Sequence, residues 1–449
     1  MKTVQADASP EKGLFLEMFV RDLTLEDCIL DLVDNSIDSL IRTRNINVSE
    51  ALIPLPTNGA GEGPIEVKTE PAVINVTYNA TNFEIVDNCG GIAVKDAAEE
   101  VFRFGHSKKA VVGQLGVYGI GLKRAIFKIG NDITIESKTK DEGFRMHIPV
   151  RSWSTDPSWT LPFEVIGGTA DSNVGGTSIS IKDFRVEVAE RFKSGTFEGH
   201  LGEMIARTYC LFLNRYVVVT LNGRKVEPSP IPLGKSENAN VAKEEFEDNG
   251  VKVTLYAGLA ARDISGEWRA IDAGWYVACN GRLVLAANKT EETGWGVGMA
   301  SFVPKYRGFI GLAFFYSMKP LLLPWNTTKR GLNQESLVFQ RARTRMAIVG
   351  RPVLSFLDNM YSSKETEREP QREVAEGIQR VDIRELTTQP GVVFKADSKP
   401  PGEITTRVQY DAKESELKRA RKALGKYSWS ARKIGRYTFE HYLKTECPE

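Results

Sequence analysis

A chain of 449 residues, 41% of them apolar and 26% charged, has the composition of a globular protein and the length for two or three domains of roughly 100–200 residues. Its formal net charge of +1 excludes a whole-molecule field that would draw in nucleic acid and leaves only a local patch for that purpose. No run of about 18 apolar residues offers a membrane span, and the start MKTVQADASPEKG lacks a basic segment followed by an apolar stretch, so the expected location is the cytoplasm. Cys28, Cys89, Cys210, Cys279 and Cys447 are odd in number, far apart and form no CxxC pair, which suggests neither a disulfide framework nor a zinc site. His106, His147, His200 and His441 sit near no plausible second ligand. Metal chemistry is therefore expected to run through carboxylate, amide and phosphate oxygens.

Residues 14–42 read as helix, followed by a polar, Gly- and Pro-bearing loop to about residue 70. Ala72 to Tyr78, a turn at Asn79 to Asn82, and Phe83 to Val86 alternate well enough for a β-hairpin. Residues 93–121, rich in glycine and lysine, look like a mobile loop. Ile133 to Lys138, Phe144 to Val150 and Thr177 to Lys182 are further strand candidates, so residues 1–190 are predicted to form an α+β sandwich of helices on an antiparallel sheet. From 191 the pattern restarts with a helix over Phe197 to Leu213 and strands at Arg215 to Leu221, Val251 to Ala257 and Gly274 to Ala278, which predicts a second α+β domain over 191–362. Leu221-Asn222-Gly223-Arg224 and Cys279-Asn280-Gly281-Arg282 both carry the Asn-Gly hairpin signal, which needs positive φ. A helix around Glu335 to Tyr361 closes that domain. Residues 363–410, with few large apolar groups, read as linker, and 411–449 as a basic helical segment.

Three segments carry chemistry. In LEDCILDLVDNSIDSL, residues 25–40, Thr24 and Asp27 are placed to cap a helix start, and Leu25, Ile29, Leu32, Val33, Ile37 and Leu40 share one side. Asp31, Asn35 and Asp38 fall together on the other. A solvated polar face would look the same; so would a carboxylate that takes a proton from water one turn before an amide oxygen that holds Mg²⁺. In Asp87-Asn88-Cys89-Gly90-Gly91-Ile92 a strand ends on an Asp followed by a Gly pair, which suits either a plain turn or an acceptor for an adenine amino group. In GQLGVYGIGLKRAIFKIG, residues 113–130, Gly113, Gly116, Gly119 and Gly121 precede a basic amphipathic helix, so bare backbone N–H groups and a helix N-terminus are available to phosphates. Neither a GxxxxGK[ST] nor a GxGxxG opening a βαβ unit is present.

In this order the three segments resemble the motifs of the gyrase, heat-shock chaperone, histidine kinase and MutL (GHKL) ATPase superfamily, whose nucleotide domain is called the Bergerat fold. DLVDNSIDS resembles the ELxxNxxD box, which implies Asp31 as general base, Asn35 as Mg²⁺ ligand and Asp38 as the following acid. DNCGGI resembles the DxGxG box and implies Asp87, Gly91 and Ile92 at the adenine. GVYGIGLK resembles the phosphate loop of MORC proteins and chaperones, implying Gly116, Tyr118, Gly119, Gly121, Leu122 and Lys123 at the nucleotide. FGHSKK resembles a lid element bringing Ser107 and Lys108 near the phosphates, and Gly176-Thr177-Ser178 the late element whose Thr177 supports the adenine-bound Asp through water. The chain departs from the pattern with Asp31 where Glu is usual, and with Cys89 at the first glycine of the second box.

The second domain resembles the transducer domain of gyrase B, MutL and MORC proteins, with Lys329 in Trp325-Asn326-Thr327-Thr328-Lys329-Arg330-Gly331 as the lysine reaching the γ-phosphate. The resemblance thus implies a Mg²⁺-dependent, slow ATPase whose nucleotide state drives conformational change or homodimerisation, or else a non-hydrolysing ATP-dependent module or protein clamp. Neither a histidine kinase nor a topoisomerase is expected, since no phospho-acceptor His helix is seen before the ATP region and this length leaves little room for a DNA-cleavage domain. Lys413, Lys418, Arg419, Arg421, Lys422, Lys426, Arg432, Lys433 and Arg436, with Tyr427, Trp429 and Tyr437 interleaved, suit a nucleic-acid partner or a protein client, though a solvated helical face with its aromatics packed on the core would look the same.

Overall fold

The computed structural model describes residues 11–51, 70–104, 114–116, 119–169, 175–263, 265–362, 365–386, 388–396 and 411–447. The chain divides into two units, Met1–Ser398 and Lys399–Glu449.

The first unit begins with α1 (Lys12–Val20) and α2 (Leu25–Thr43), two helices where the sequence predicted one. The break comes at Thr24, whose extended backbone (φ −81°, ψ 157°) starts a new helix. The Thr24 hydroxyl accepts from the Asp27 N–H at 3.2 Å and donates to the Asp27 carboxylate at 2.7 Å, satisfying an N–H that the first turn cannot pair internally. Between Leu25 and Ile41 every residue of α2 is buried except Asp31 and Asn35, which are half-buried. Ile29, Val33 and Ile37 are fully enclosed, each contributing about 1.5–3 kcal/mol. The polar side of α2 is therefore no solvated face.

These helices, with Gly121–Ile129 and Val150–Thr155, lie against an eight-stranded sheet. Its strands are β1 (Ala72–Tyr78), β2 (Phe83–Asp87), β3 (Gly130–Lys138), β4 (Glu142–Pro149), β5 (Phe163–Gly167), β6 (Gly176–Phe184), β7 (Val217–Leu221) and β8 (Arg224–Lys225), in the order β5-β4-β3-β6-β2-β1-β7-β8. Every pair is antiparallel except β1–β7, which is parallel with Ala72 opposite Val217. The β1–β2 hairpin closes over Asn79–Asn82 in the expected register. β7, expected among the strands after residue 191, instead completes the first sheet. Within the stretch 93–121 the segments Val94–Asp96 and Ala97–Val101 are helical turns.

A second sheet has the order β10-β11-β14-β12-β13, from β10 (Ala242–Asp248), β11 (Val251–Leu259), β12 (Gly274–Cys279), β13 (Arg282–Asn288) and β14 (Phe309–Tyr316). The helix Leu337–Asn359, capped by the Ser336 hydroxyl accepting from the Phe339 N–H, packs on β10, β11 and β14. Both Asn-Gly turns take the positive φ their residues allow: 48° and 79° at Asn222 and Gly223, 46° and 81° at Asn280 and Gly281. Residues 371–396, expected within a linker, are part of this body: Val374, Ala375, Ile378, Ile383, Leu386 and Phe394 are buried, and β15 (Gln379–Arg380) pairs with β9 (Gly234–Lys235). The apolar residues there are few but spaced to fall inward, which composition does not register. Of the rest of the expected linker, 365–370 belong to the helix Glu365–Glu376, while 363–364 and 397–410 lie outside the described residues.

The second unit is described over 411–447. Helices Glu414–Leu424 and Ala431–Glu446 are separated by Gly425 in left-handed conformation (φ 64°) and the cap Ser430. Trp429 meets Tyr437 edge-on at 5.7 Å and the Lys433 ammonium lies 4.8 Å from the Trp429 ring. Tyr427, Phe439 and Tyr442 are exposed.

Candidate active site

A cavity of about 520 Å³ opens between α2, the sheet and the loop before Gly121. Its wall includes Asp31, Asn35 and Asp38 from α2, Asp87 from the end of β2, Ile92, Gly116, Gly119, Gly121, Leu122, Lys123, Thr177 from β6, and Thr327 and Lys329. Leu32, Ile85, Ile135 and Ile179 supply an apolar surface. Residues spread over almost three hundred positions converge because β2, β6 and β3 are neighbours in the sheet and α2 crosses them.

At one end of the cavity, Asp87 is held from three sides. Its Oδ2 accepts from the Ser36 hydroxyl at 2.6 Å, and its Oδ1 from the N–H groups of Cys89 at 2.9 Å and Thr177 at 3.3 Å. Burial pushes this carboxyl above its ordinary range, against the pull of those three bonds. The Thr177 hydroxyl lies 2.8 Å from that of Ser137, which in turn accepts from the Ile92 N–H at 2.9 Å. Cys89, at the first glycine position of the DxGxG pattern, fits without strain. Positive φ falls on Gly90 (115°) and Gly91 (71°), while Cys89 is fully buried. A Cβ on Gly91 would lie 2.1 Å from the Lys138 carbonyl oxygen, so only glycine brings the turn this close to β3. Gly91 is not on the cavity wall; its carbonyl accepts from Ser39 and Arg42 of α2, each at 3.3 Å.

The other end is lined by the start of the helix Gly121–Ile129, whose first N–H groups have no partner within the helix. Gly119 has φ 62°, and a Cβ on Gly121 would sit 3.2 Å from the Asp31 carboxyl carbon, so glycine leaves Asp31 open to the cavity. Asp38 turns onto the loop: its two oxygens accept from the N–H groups of Leu115 (2.6 Å) and Gly116 (2.7 Å). Burial pushes its carboxyl up to about 7 despite those donors. The Lys123 ammonium donates to the Val101 carbonyl at 2.6 Å, and burial brings it down to about 8. Lys123 thus spends its charge on the Val101 carbonyl rather than standing free at the phosphate end.

Asp31 is pushed up by burial, with Lys329 Nζ 3.6 Å away opposing that shift. Asn35 has a buried amide nitrogen without a partner among the described residues. No group of three or more His, Cys, Asp or Glu able to hold a metal occurs among those residues. An ion here would draw its remaining ligands from phosphate and water, which is the habit of Mg²⁺ rather than of zinc; a single unsatisfied amide on the wall fits that role, its oxygen and nitrogen being exchangeable by a flip.

Behind Asp31, Asp34 is buried with Arg282, Tyr209 and Lys329. Asp34 Oδ1 accepts from Arg282 Nε at 2.9 Å and the Tyr209 hydroxyl at 2.7 Å, and Oδ2 from Lys329 Nζ at 2.6 Å. Burial pushes Asp34 up, but the charges of Arg282 and Lys329 outweigh it and hold the carboxyl below its ordinary range. Lys329 itself is raised, because Asp34 and Asp31 more than offset its burial. The hairpin turn that presents Arg282 also places the Asn280 amide 2.9 Å from the Gln114 carbonyl of the glycine loop.

Of the residues singled out from sequence, Asp31, Asn35, Asp38, Asp87, Ile92, Gly116, Gly119, Gly121, Leu122, Lys123, Thr177 and Lys329 share this cavity, and Gly91 stands behind it. Ser107, Lys108 and Tyr118 lie outside the described residues. Sequence reading missed Ser36, Ser137, Asp34, Arg282 and Tyr209. Only Arg282 had a signal, its place in an Asn-Gly hairpin.

No curated protein matches the chain. Residues 23–163 match the model of the family described as histidine kinase-, DNA gyrase B-, and HSP90-like ATPase, a span that runs from the cap of α2 through the DNCGGI turn and the glycine loop to β5. Over this span the chain is similar to GHKL-type ATPase domains, and the geometry of the cavity accords with that similarity.

Proposed function

We propose that the chain binds ATP with Mg²⁺ in the 520 Å³ cavity and hydrolyses it slowly. The observation that carries this reading is the convergence on one wall of a buried carboxylate, an unsatisfied amide, a glycine-opened helix N-terminus and a lysine from the second sheet's side of the unit. Asp87, fixed by Ser36, Cys89 and Thr177, accepts from the adenine amino group. The N–H groups at Gly119 to Leu122 meet phosphate oxygens, with Asp38 holding the loop from behind. Asn35 contributes its amide oxygen to Mg²⁺, which supplies charge neutralisation at the phosphates. Asp31 orients a water and takes its proton. Lys329 reaches the terminal phosphate, and Lys123 serves to position Val101.

Calorimetry with ATP, with and without Mg²⁺, tests the assignment. Wild-type protein is expected to bind ATP more tightly with Mg²⁺, and Asn35→Ala to lose that Mg²⁺ dependence. Equal affinity with and without the ion in both proteins would remove Asn35 from the metal. Binding without any phosphate release above background, under all conditions, would favour the non-hydrolysing module.

The second unit supports a nucleic-acid contact beside this activity. Lys413, Lys418, Arg419, Lys422, Lys426, Arg432, Lys433 and Arg436 are all exposed, with Tyr427 exposed among them. Such binding would follow backbone charge, without sequence preference, and each duplex phosphate neutralised would add about 0.9 to the slope of log affinity against log salt. Gel shifts at two salt concentrations are expected to show that fall. Absence of a shifted band at physiological salt would leave the protein-client reading in place.

A further inference from the structure

Asp34 divides its two oxygens between different kinds of partner. Oδ1 takes Arg282 Nε and the Tyr209 hydroxyl, while among the described residues Oδ2 takes only the Lys329 ammonium. Arg282 also donates from Nη1 to the main-chain carbonyl of Lys329 at 2.7 Å. It therefore grips the backbone of the residue whose side chain shares its carboxylate. Lys329 is held at φ 56°, left-handed backbone that a non-glycine residue keeps only where its surroundings fix it. Its Nζ stands between Asp34 at 2.6 Å and Asp31 at 3.6 Å, and its side chain already lines the cavity.

A lysine that senses the terminal phosphate has to release its resting partner. Were that partner a lone buried carboxylate, release would strand an uncompensated charge, among the costliest events in a protein interior. We propose that Arg282 is a positioning residue that makes Lys329 exchangeable: it neutralises Asp34 permanently and anchors the Lys329 main chain, so the ammonium is free to move from Asp34 to the γ-phosphate. The proposal rests on the reading that ATP occupies this cavity and that Lys329 meets its terminal phosphate. A merely structural role for the Asp34–Arg282 pair, tying α2 to the hairpin before β13, would make every disruption act in the same direction. The exchange proposal requires opposite directions for the two partners.

The readout is the ratio of ADP to ATP-analogue dissociation constants, measured by calorimetry on the full chain with a non-hydrolysable analogue. Lys329→Ala should lower this discrimination by about ten- to a hundredfold, the worth of one charge-assisted bond, while sparing ADP affinity. In Arg282→Met, Asp34 has only Lys329 to neutralise it and retains the ammonium, so discrimination should fall at least several-fold. In Asp34→Asn the amide still accepts from Arg282 and Tyr209 but no longer competes for Lys329, so discrimination should rise above wild type. An unchanged ratio in Lys329→Ala would overturn the reading of the site itself. A lowered ratio in Lys329→Ala together with an unchanged or lowered one in Asp34→Asn would leave that reading standing and overturn the role given to Arg282. Should Arg282→Met not fold, the near-isosteric Asp34→Asn decides alone by the sign of its effect.

Discussion

Replacing Asp31 by alanine should reduce phosphate release by roughly a hundredfold or more while leaving ATP affinity nearly intact, since a general base contributes about 10²–10⁴ to rate. Three features of the cavity support that expectation. Asp31 is one of only two half-buried residues on an otherwise buried stretch of α2, the missing side chain of Gly121 leaves its carboxylate uncovered, and burial shifts it toward the basicity a proton acceptor needs. The sign of the shift sets the pH dependence. Asp31 works only when deprotonated, and its raised value means that the rate should fall on acidification at a pH above the ordinary carboxylate range. Lys329, Arg282 and Arg124 oppose the shift and Asp34 adds to it. A single-turnover assay across pH tests both parts, and an Asp31→Ala protein that releases phosphate at the wild-type rate would end the assignment. Because a displacement of about 1 Å costs on the order of a hundredfold, the short aspartate in place of glutamate is also the reason to expect slow turnover in the wild type.

Asp87→Asn is expected to weaken ATP binding by about ten- to a hundredfold, or about 1.5–3 kcal/mol. The substitution keeps the size of the side chain but replaces one of two acceptor oxygens with a donor. Both oxygens are already engaged, by Ser36 on one side and by the Cys89 and Thr177 N–H groups on the other. Turned toward Cys89 and Thr177 its nitrogen faces two N–H donors; turned toward Ser36, whose hydroxyl can accept instead, it replaces the oxygen that has a lone pair left for the adenine amino group. In either orientation a charged acceptor is lost, which acts in the same direction. Calorimetry with ATP measures it, and unchanged affinity would move adenine recognition elsewhere in the cavity.

The short-range features were legible because their physics is local. The Thr24 cap, the β1–β2 hairpin, the two Asn-Gly turns and the glycine loop before Gly121 each depend on neighbours within a few residues. Asp34 was invisible for the opposite reason. It sits beside Asn35 on a helix of suitable period, and nothing within a turn distinguishes it from a surface aspartate; its partner Arg282 is 248 residues away. Ser36 was likewise hidden, since a small hydroxyl on a helix acquires meaning only when Asp87 is laid against it. Cys89 looked like a defect in a glycine motif, yet the positive φ values fall on Gly90 and Gly91. The residues 371–396 read as linker because their composition is polar, and composition does not say where the few apolar side chains point.

The parallel pairing of β1 with β7 reaches beyond the nucleotide cavity. β1 runs beside the strand that ends in Asp87, and its other edge is covered by a segment that the ribosome makes well over a hundred residues later. Until then that edge presents unpaired N–H and C=O groups in a strand of alternating apolar residues, the geometry that recruits foreign strands. The long gap makes this closure a late, high-contact-order step in folding. A fragment cut at residue 190 would keep the whole span that matches the family model and yet remain open at that seam.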